Sequence, residues 1–140
     1  MDQLLYSLEG SLFLATAMRT AFALGHIRLF QSSLVPTSGT PLADFETAEA
    51  DFDGYPSGGI ITTTWNAPIL DEAGGYSIGT PLVQFETDPA EATPNMIGGW
   101  FFVEAGGDLI CFGKYGTPVP MQIPGQGLPI SARLVFATGD

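Results

Sequence analysis

The chain has 140 residues, enough for one domain with its own core, and a compact fold of that size exposes on the order of 7,000 Å2. Its hydrophobic fraction of 45% excludes a disordered chain in spite of a net charge of −11. Only Arg19, Arg28, Lys114 and Arg133 stand against fifteen carboxylates, so no cationic track exists for phosphate, which excludes nucleic acid and anionic membrane surfaces as partners.

The first periodic segment, residues 3–24, reads as a helix. Leu5, Leu8, Leu12, Ala15, Met18 and Phe22 recur at spacings of three and four, which places them on one face. Asp2 is the expected N-cap and Gly25 the expected C-cap glycine. Leu4, Phe13, Leu14, Ala17 and Ala21 widen the apolar surface beyond that stripe, and a helix apolar on most sides is expected to be covered on most sides. Thr16, Arg19 and Thr20 interrupt the run 12–24, well short of the ~20 apolar residues of a membrane span. Asp2 and Glu9, with no basic residues before the apolar run, predict a chain without a secretory leader.

After Gly25 the period falls from 3.6 to 2, predicting a first strand over 26–31. A turn follows around Pro36 and Gly39, and then the acidic segment 42–55, where Phe45 and Phe52 lie seven apart and one or two helical turns are compatible. The β-branched run 60–65 predicts a strand, 71–75 a turn and 79–85 another strand. The apolar, aromatic runs 96–104 and 109–115 around Ala105, Gly106, Gly107 and Asp108 predict a hairpin with a four-residue turn. A bend at 116–120 and a short pairing segment at 121–123 precede one closing strand, 128–137, whose Ile130, Ala132, Leu134 and Phe136 share a face. The expected fold is therefore mainly β, an antiparallel β-sandwich or small barrel with one N-terminal α-helix. It is a single domain, 1–140, with the helix at 3–24 and a β-rich body over 26–137.

Several segments together resemble a family of small phage- and prophage-encoded virion structural proteins. They are HIRLFQS at 26–32 with Pro36, LADFETAEADFDGY at 42–55, IGGWFFV at 97–103, LICFGKY at 109–115 and LPISARLVF at 128–136. Residues 66–95 correspond least. The resemblance implies a non-enzymatic virion component. Capsid decoration (cement) and a tail-fibre or baseplate module recognising a host glycan are both compatible with it. It supplies no catalytic residues, implies the major capsid protein as partner, and places the protein on the capsid exterior after synthesis in the host cytoplasm.

The residues themselves suggest no catalytic constellation. His26 is the only histidine, with no Ser-His-Asp or Cys-His pattern around it, and Cys111 sits in an apolar run where a thiol packs inertly. Lys114 follows Gly113, but Tyr115 occupies the Ser/Thr position of a phosphate loop. Glu49, Asp51 and Asp53 before Gly54 look like the start of a calcium loop, yet Ile60 stands where its bidentate Glu belongs. These three remain weak metal candidates, and neither a metal nor a cofactor is expected. For a glycan reader, Tyr55 and Tyr76 would be the exposed rings.

Trp100, Phe101 and Phe102 place bulky rings on alternating faces of one strand, so both faces need cover. Together with the helix this predicts self-association as a homotrimer through Leu5, Leu8, Leu12, Met18, Phe22, Trp100 and Phe102.

Overall fold

A computed structural model describes residues 6–62, 64–72, 74–89 and 94–138. The N-terminal helix, α1, spans Leu8–Ala21. Ser7 caps it by accepting the Gly10 N–H at 3.0 Å, so the cap is not Asp2, which lies outside the described residues together with the rest of 1–5. The C-terminal turn is closed not by Gly25 but by Leu24, whose φ is 66°. Gly25 answers a different need. A Cβ there would stand 2.4 Å from the Phe102 ring, so only glycine lets the next strand lie flat on that side chain.

That strand, β1 (Gly25–Gln31), is central to a four-stranded antiparallel sheet. Its neighbours are β2 (Ile60–Thr62) on one edge and β6 (Asn95–Val103) on the other, with β7 (Leu109–Met121) outermost beyond β6. β2 ends at Thr62, short of the expected Trp65, which leaves the strand and enters the core. The β6–β7 hairpin closes through Glu104, whose carboxylate accepts the Gly106 and Asp108 N–H groups at 2.8 Å each. β7 does not stop at Tyr115: it pairs with β6 as far as Asn95 opposite Met121. The expected bend at 116–120 is a bulge within this strand. Ile97 faces Val119 and Gly99 faces Lys114, so residues 115–118 oppose Gly98 alone.

The second β layer is a ribbon with a corner in it. β4 (Tyr76–Gly79) pairs with β9 (Arg133–Phe136), and β3 (Ile69–Leu70) adds to the other side of β4. β5 (Val83–Glu86) pairs with β8 (Gly127–Ile130). The strands expected over 79–85 and 128–137 thus break in two at matching places. The corner is tied by the Thr80 N–H to the Ala132 carbonyl and the Ala132 N–H to Thr80 Oγ1, both 2.9 Å. Alternation survives the break: Ile130 and Ala132 are buried, while Ser131 and Arg133 are exposed.

The main core lies between these layers and α1. Phe22, Trp65 and Phe102 form its aromatic centre, with ring centroids 5.1–5.6 Å apart. A smaller cluster of Phe30, Phe45, Phe101 and Val103 sits apart, and its lid is a short second helix, α2 (Leu42–Thr47), which inserts Phe45. The fold is mainly antiparallel β with an N-terminal helix, and sheets sharing one core fit a sandwich.

Candidate functional site

The acidic segment is the densest polar feature, and β1 organises it. Beyond Ile27, which faces Ile60 at the start of β2, residues 48–50 take over that edge of β1: Gln31 N–H donates to the Ala48 carbonyl at 2.7 Å and Ala50 N–H to the Leu29 carbonyl at 3.0 Å. This places Glu49 against Arg28, whose Nε donates to Glu49 Oε2 at 3.0 Å while a terminal guanidinium nitrogen donates to Oε1. Arg28 also lies 3.6 Å from Glu46 and 5.1 Å above the Phe101 ring. Tyr55 completes the network by donating to Glu49 Oε2 at 2.6 Å and accepting the Leu29 N–H at 3.1 Å. Burial, with the Glu49 carboxylate behind it, pushes the Tyr55 hydroxyl far above the usual tyrosine range. The guanidinium rises as well, chiefly through its bond to Glu49.

This geometry explains the segment as framework. Phe45 and Phe52 fill the two apolar clusters, Glu49 is neutralised by Arg28, and Tyr55 is locked in its neutral form. Asp51 bonds reciprocally with Asn95, its N–H to Oδ1 at 2.7 Å and its Oδ1 from Nδ2 at 2.9 Å. The Asp53 carbonyl accepts the Asp88 N–H at 2.8 Å. Glu49, Asp51 and Asp53 therefore do not converge, and no cluster of three or more metal-ligating side chains forms among the described residues. A cleft of about 420 Å3 opens beside Glu49, Asp51 and Tyr55, but a carboxylate tied to a guanidinium is a poor base there.

The remaining reactive groups stay apart. His26 is half-buried on β1 opposite Val103 and Ile61, and neither it nor Cys111 makes a side-chain hydrogen bond among the described residues. Burial pushes the Cys111 thiol up to about 11, which holds it as an unreactive thiol at neutral pH. Tyr76 belongs to β4 and is half-buried, while the Tyr55 ring stacks on Phe85 at 5.6 Å. Neither ring stands at an exposed loop tip.

The expected interface residues divide sharply. Phe102 is wholly buried and Phe22 is 5% exposed, so both belong to this chain's own core and not to a contact surface. Trp100 and Met18 are half-buried against the same core. Leu5 lies outside the described residues. Leu8 and Leu12 are exposed at 48% and 39%. Of the stripe chosen by periodicity, Ala15, Met18 and Phe22 turn inward, and Ser11, outside that stripe, is buried with them.

What faces out is the other set. Phe13 is 74% exposed, flanked along the helix by Gly10, Ala17 and Thr20, with Tyr6 and Leu24 also exposed beyond its two ends. The spacing 6, 10, 13, 17, 20, 24 is the signal that could have found this face, since it repeats three and four independently of the inner stripe. Its charges are few: α1 carries only Glu9 in its first turn and Arg19 in its last. Comparison with protein-family models, curated proteins and solved structures finds no match for this chain.

Proposed function

We propose that this chain is a non-enzymatic structural subunit of a virion, a decoration protein that self-associates as a homotrimer and seats on the outside of a capsid. The observation that carries this reading is the outer face of α1, an exposed apolar surface on an otherwise strongly acidic protein. The acidic segment is compatible with it, since Glu49 and Tyr55 brace β1 through Arg28 and the Leu29 N–H. Such a subunit acts by mass action: binding the assembled shell but not its separated parts stabilises the shell by RT ln(1 + [L]/Kd) per site. Apolar contact suits this role because it persists in salt.

The test is co-sedimentation of the purified chain with capsids that lack it, followed by heating. Bound protein and a raised temperature of shell disruption are expected. Failure to sediment with particles at micromolar concentration, or binding with no change in shell stability, would remove the decoration role.

A further inference from the structure

We infer that a cavity beside the β7 bulge receives one apolar side chain of a partner polypeptide, with a neighbouring Asp or Glu of that partner meeting Lys114. This goes beyond the decoration role and does not depend on it. The cavity, of about 200 Å3, lies where the chain leaving β1 at residues 32–36 meets the bulge of β7. Phe30, Leu34, Pro36, Tyr115 and Pro118 give it apolar walls. Two glycines keep it hollow. Gly98 lies close against the chain after β1, where a Cβ would stand 2.9 Å from the Ser32 Cα, and at Gly116 a Cβ would meet no atom within 4 Å.

Charge complementarity names the occupant. The segments that build the cavity, 26–36, 95–103 and 109–121, contain no Asp or Glu, in a chain that has fifteen. Asp44 lines a neighbouring hollow that shares Leu34, and not this one. Of the four cations, Arg28 is paired with Glu49, Arg133 with Asp71, and Arg19 donates to the Trp65 carbonyl. Lys114 is exposed where it lines the cavity and has no ion pair among the described residues. An anion is therefore drawn here and repelled by the acidic segment. Size and rim favour a polypeptide over a free small acid. The volume suits one side chain and is below the roughly 300–1,000 Å3 that encloses a whole small ligand. Val35 at the rim is 78% exposed, so apolar surface continues outside the hollow, where the rest of a bound segment would lie.

The experiment follows backbone amide shifts of the full chain by NMR as a blocked peptide, acetyl-Gly-Glu-Leu-Gly-amide, is added. Peptides with Gln for Glu and with Ala for Leu probe the two halves of the site. Shifts centred on Leu34, Gly98 and Gly116 are expected with the Glu-Leu peptide. Affinity should fall about fivefold with the Gln peptide or in Lys114→Gln, the scale of one exposed ion pair, and return in Lys114→Arg. The Ala peptide, or the hollow filled in Gly116→Leu, should give no shifts there. Absence of shifts with the Glu-Leu peptide, equal affinity for the Glu and Gln peptides, or a folded Gly116→Leu protein that binds as well as wild type overturns the proposal. Isovalerate binding as tightly as the peptide would give the site to a free small acid and overturn the polypeptide partner.

Discussion

At the scale of single residues, the acidic segment is held against β1 by backbone and side-chain bonds, and its glycines differ in what surrounds them. Gly54 has φ of 99°, and a Cβ there would lie 2.6 Å from both the Asp88 nitrogen and the Glu86 oxygen. Gly58 has φ of 79° with nothing within 4 Å of such an atom. Gly54→Ala should therefore cost more than about 3 kcal/mol and Gly58→Ala only about 1 kcal/mol, read as denaturant midpoints. Equal losses would mean that backbone conformation alone governs both sites. The titrating groups give a second residue-level expectation. Cys111 rises from 9.0 to about 11 and Tyr55 rises above 10.0, both because burial disfavours the anion. The folded state then holds protons that the unfolded chain has released, so their contribution is complete below pH 9 and is lost as pH rises. Stability should be level from pH 7 to 9 and then fall, by on the order of 2–3 kcal/mol through Cys111 alone. Cys111→Ala should flatten the part between pH 9 and 11, and Tyr55→Phe the part above pH 10. A curve unchanged by both substitutions would contradict the assigned burial.

At the scale of elements, the two helices do unlike work. α1 presents Ser11 at the centre of its inner face, where Oγ donates to the Phe136 carbonyl at 2.5 Å and accepts the Tyr76 N–H at 2.7 Å. A hydropathy pattern scores that serine as outward-facing. It is buried because it satisfies two backbone groups of neighbouring strands, β4 and β9. α2 has only six residues and no side-chain cap, so its stability must come from packing. Phe45 supplies it, with ring centroids 5.4 Å from Phe30, 5.1 Å from Phe101 and 5.3 Å from Phe112. Phe45→Ala should cost about 3–5 kcal/mol and release α2 from the sheet, seen as fast amide exchange over 42–48 with β1 still protected. Loss of protection throughout the sheet would show that this cluster cannot open by itself.

For the whole molecule, charge and apolar contact oppose each other. Three copies together carry −33, three times the −11 of one chain, while α1 carries only Glu9 and Arg19. Added salt screens the repulsion and leaves apolar burial in place. Association should consequently tighten between about 10 mM and 150 mM salt, as the Debye length falls from about 30 Å to 8 Å. A sedimentation series in which salt loosens the oligomer would argue for ion pairs at the contact instead. The same balance bears on the Trp100 strand. Its alternating rings do need cover on both faces, but α2 and the second β layer provide that cover inside one chain. Self-association therefore draws no support from that strand and depends on the helix.

Local pattern was sufficient for the mainly β class, the N-terminal helix, the first strand and the long hairpin, because period and turn residues are properties of neighbours in sequence. The face shared by Ile130 and Ala132 was legible for the same reason, and it outlasted the break in its strand. Where strands end, which sheet each joins and what lies over the Trp100 strand were decided in three dimensions. Thr80 and Ala132 make the corner by bonding across 52 positions of chain, and Glu49 meets Arg28 across 21. The helix adds the last case: two stripes of equal periodicity compete for one core, and only the shape of the sheets beneath determines which is buried and which is left exposed.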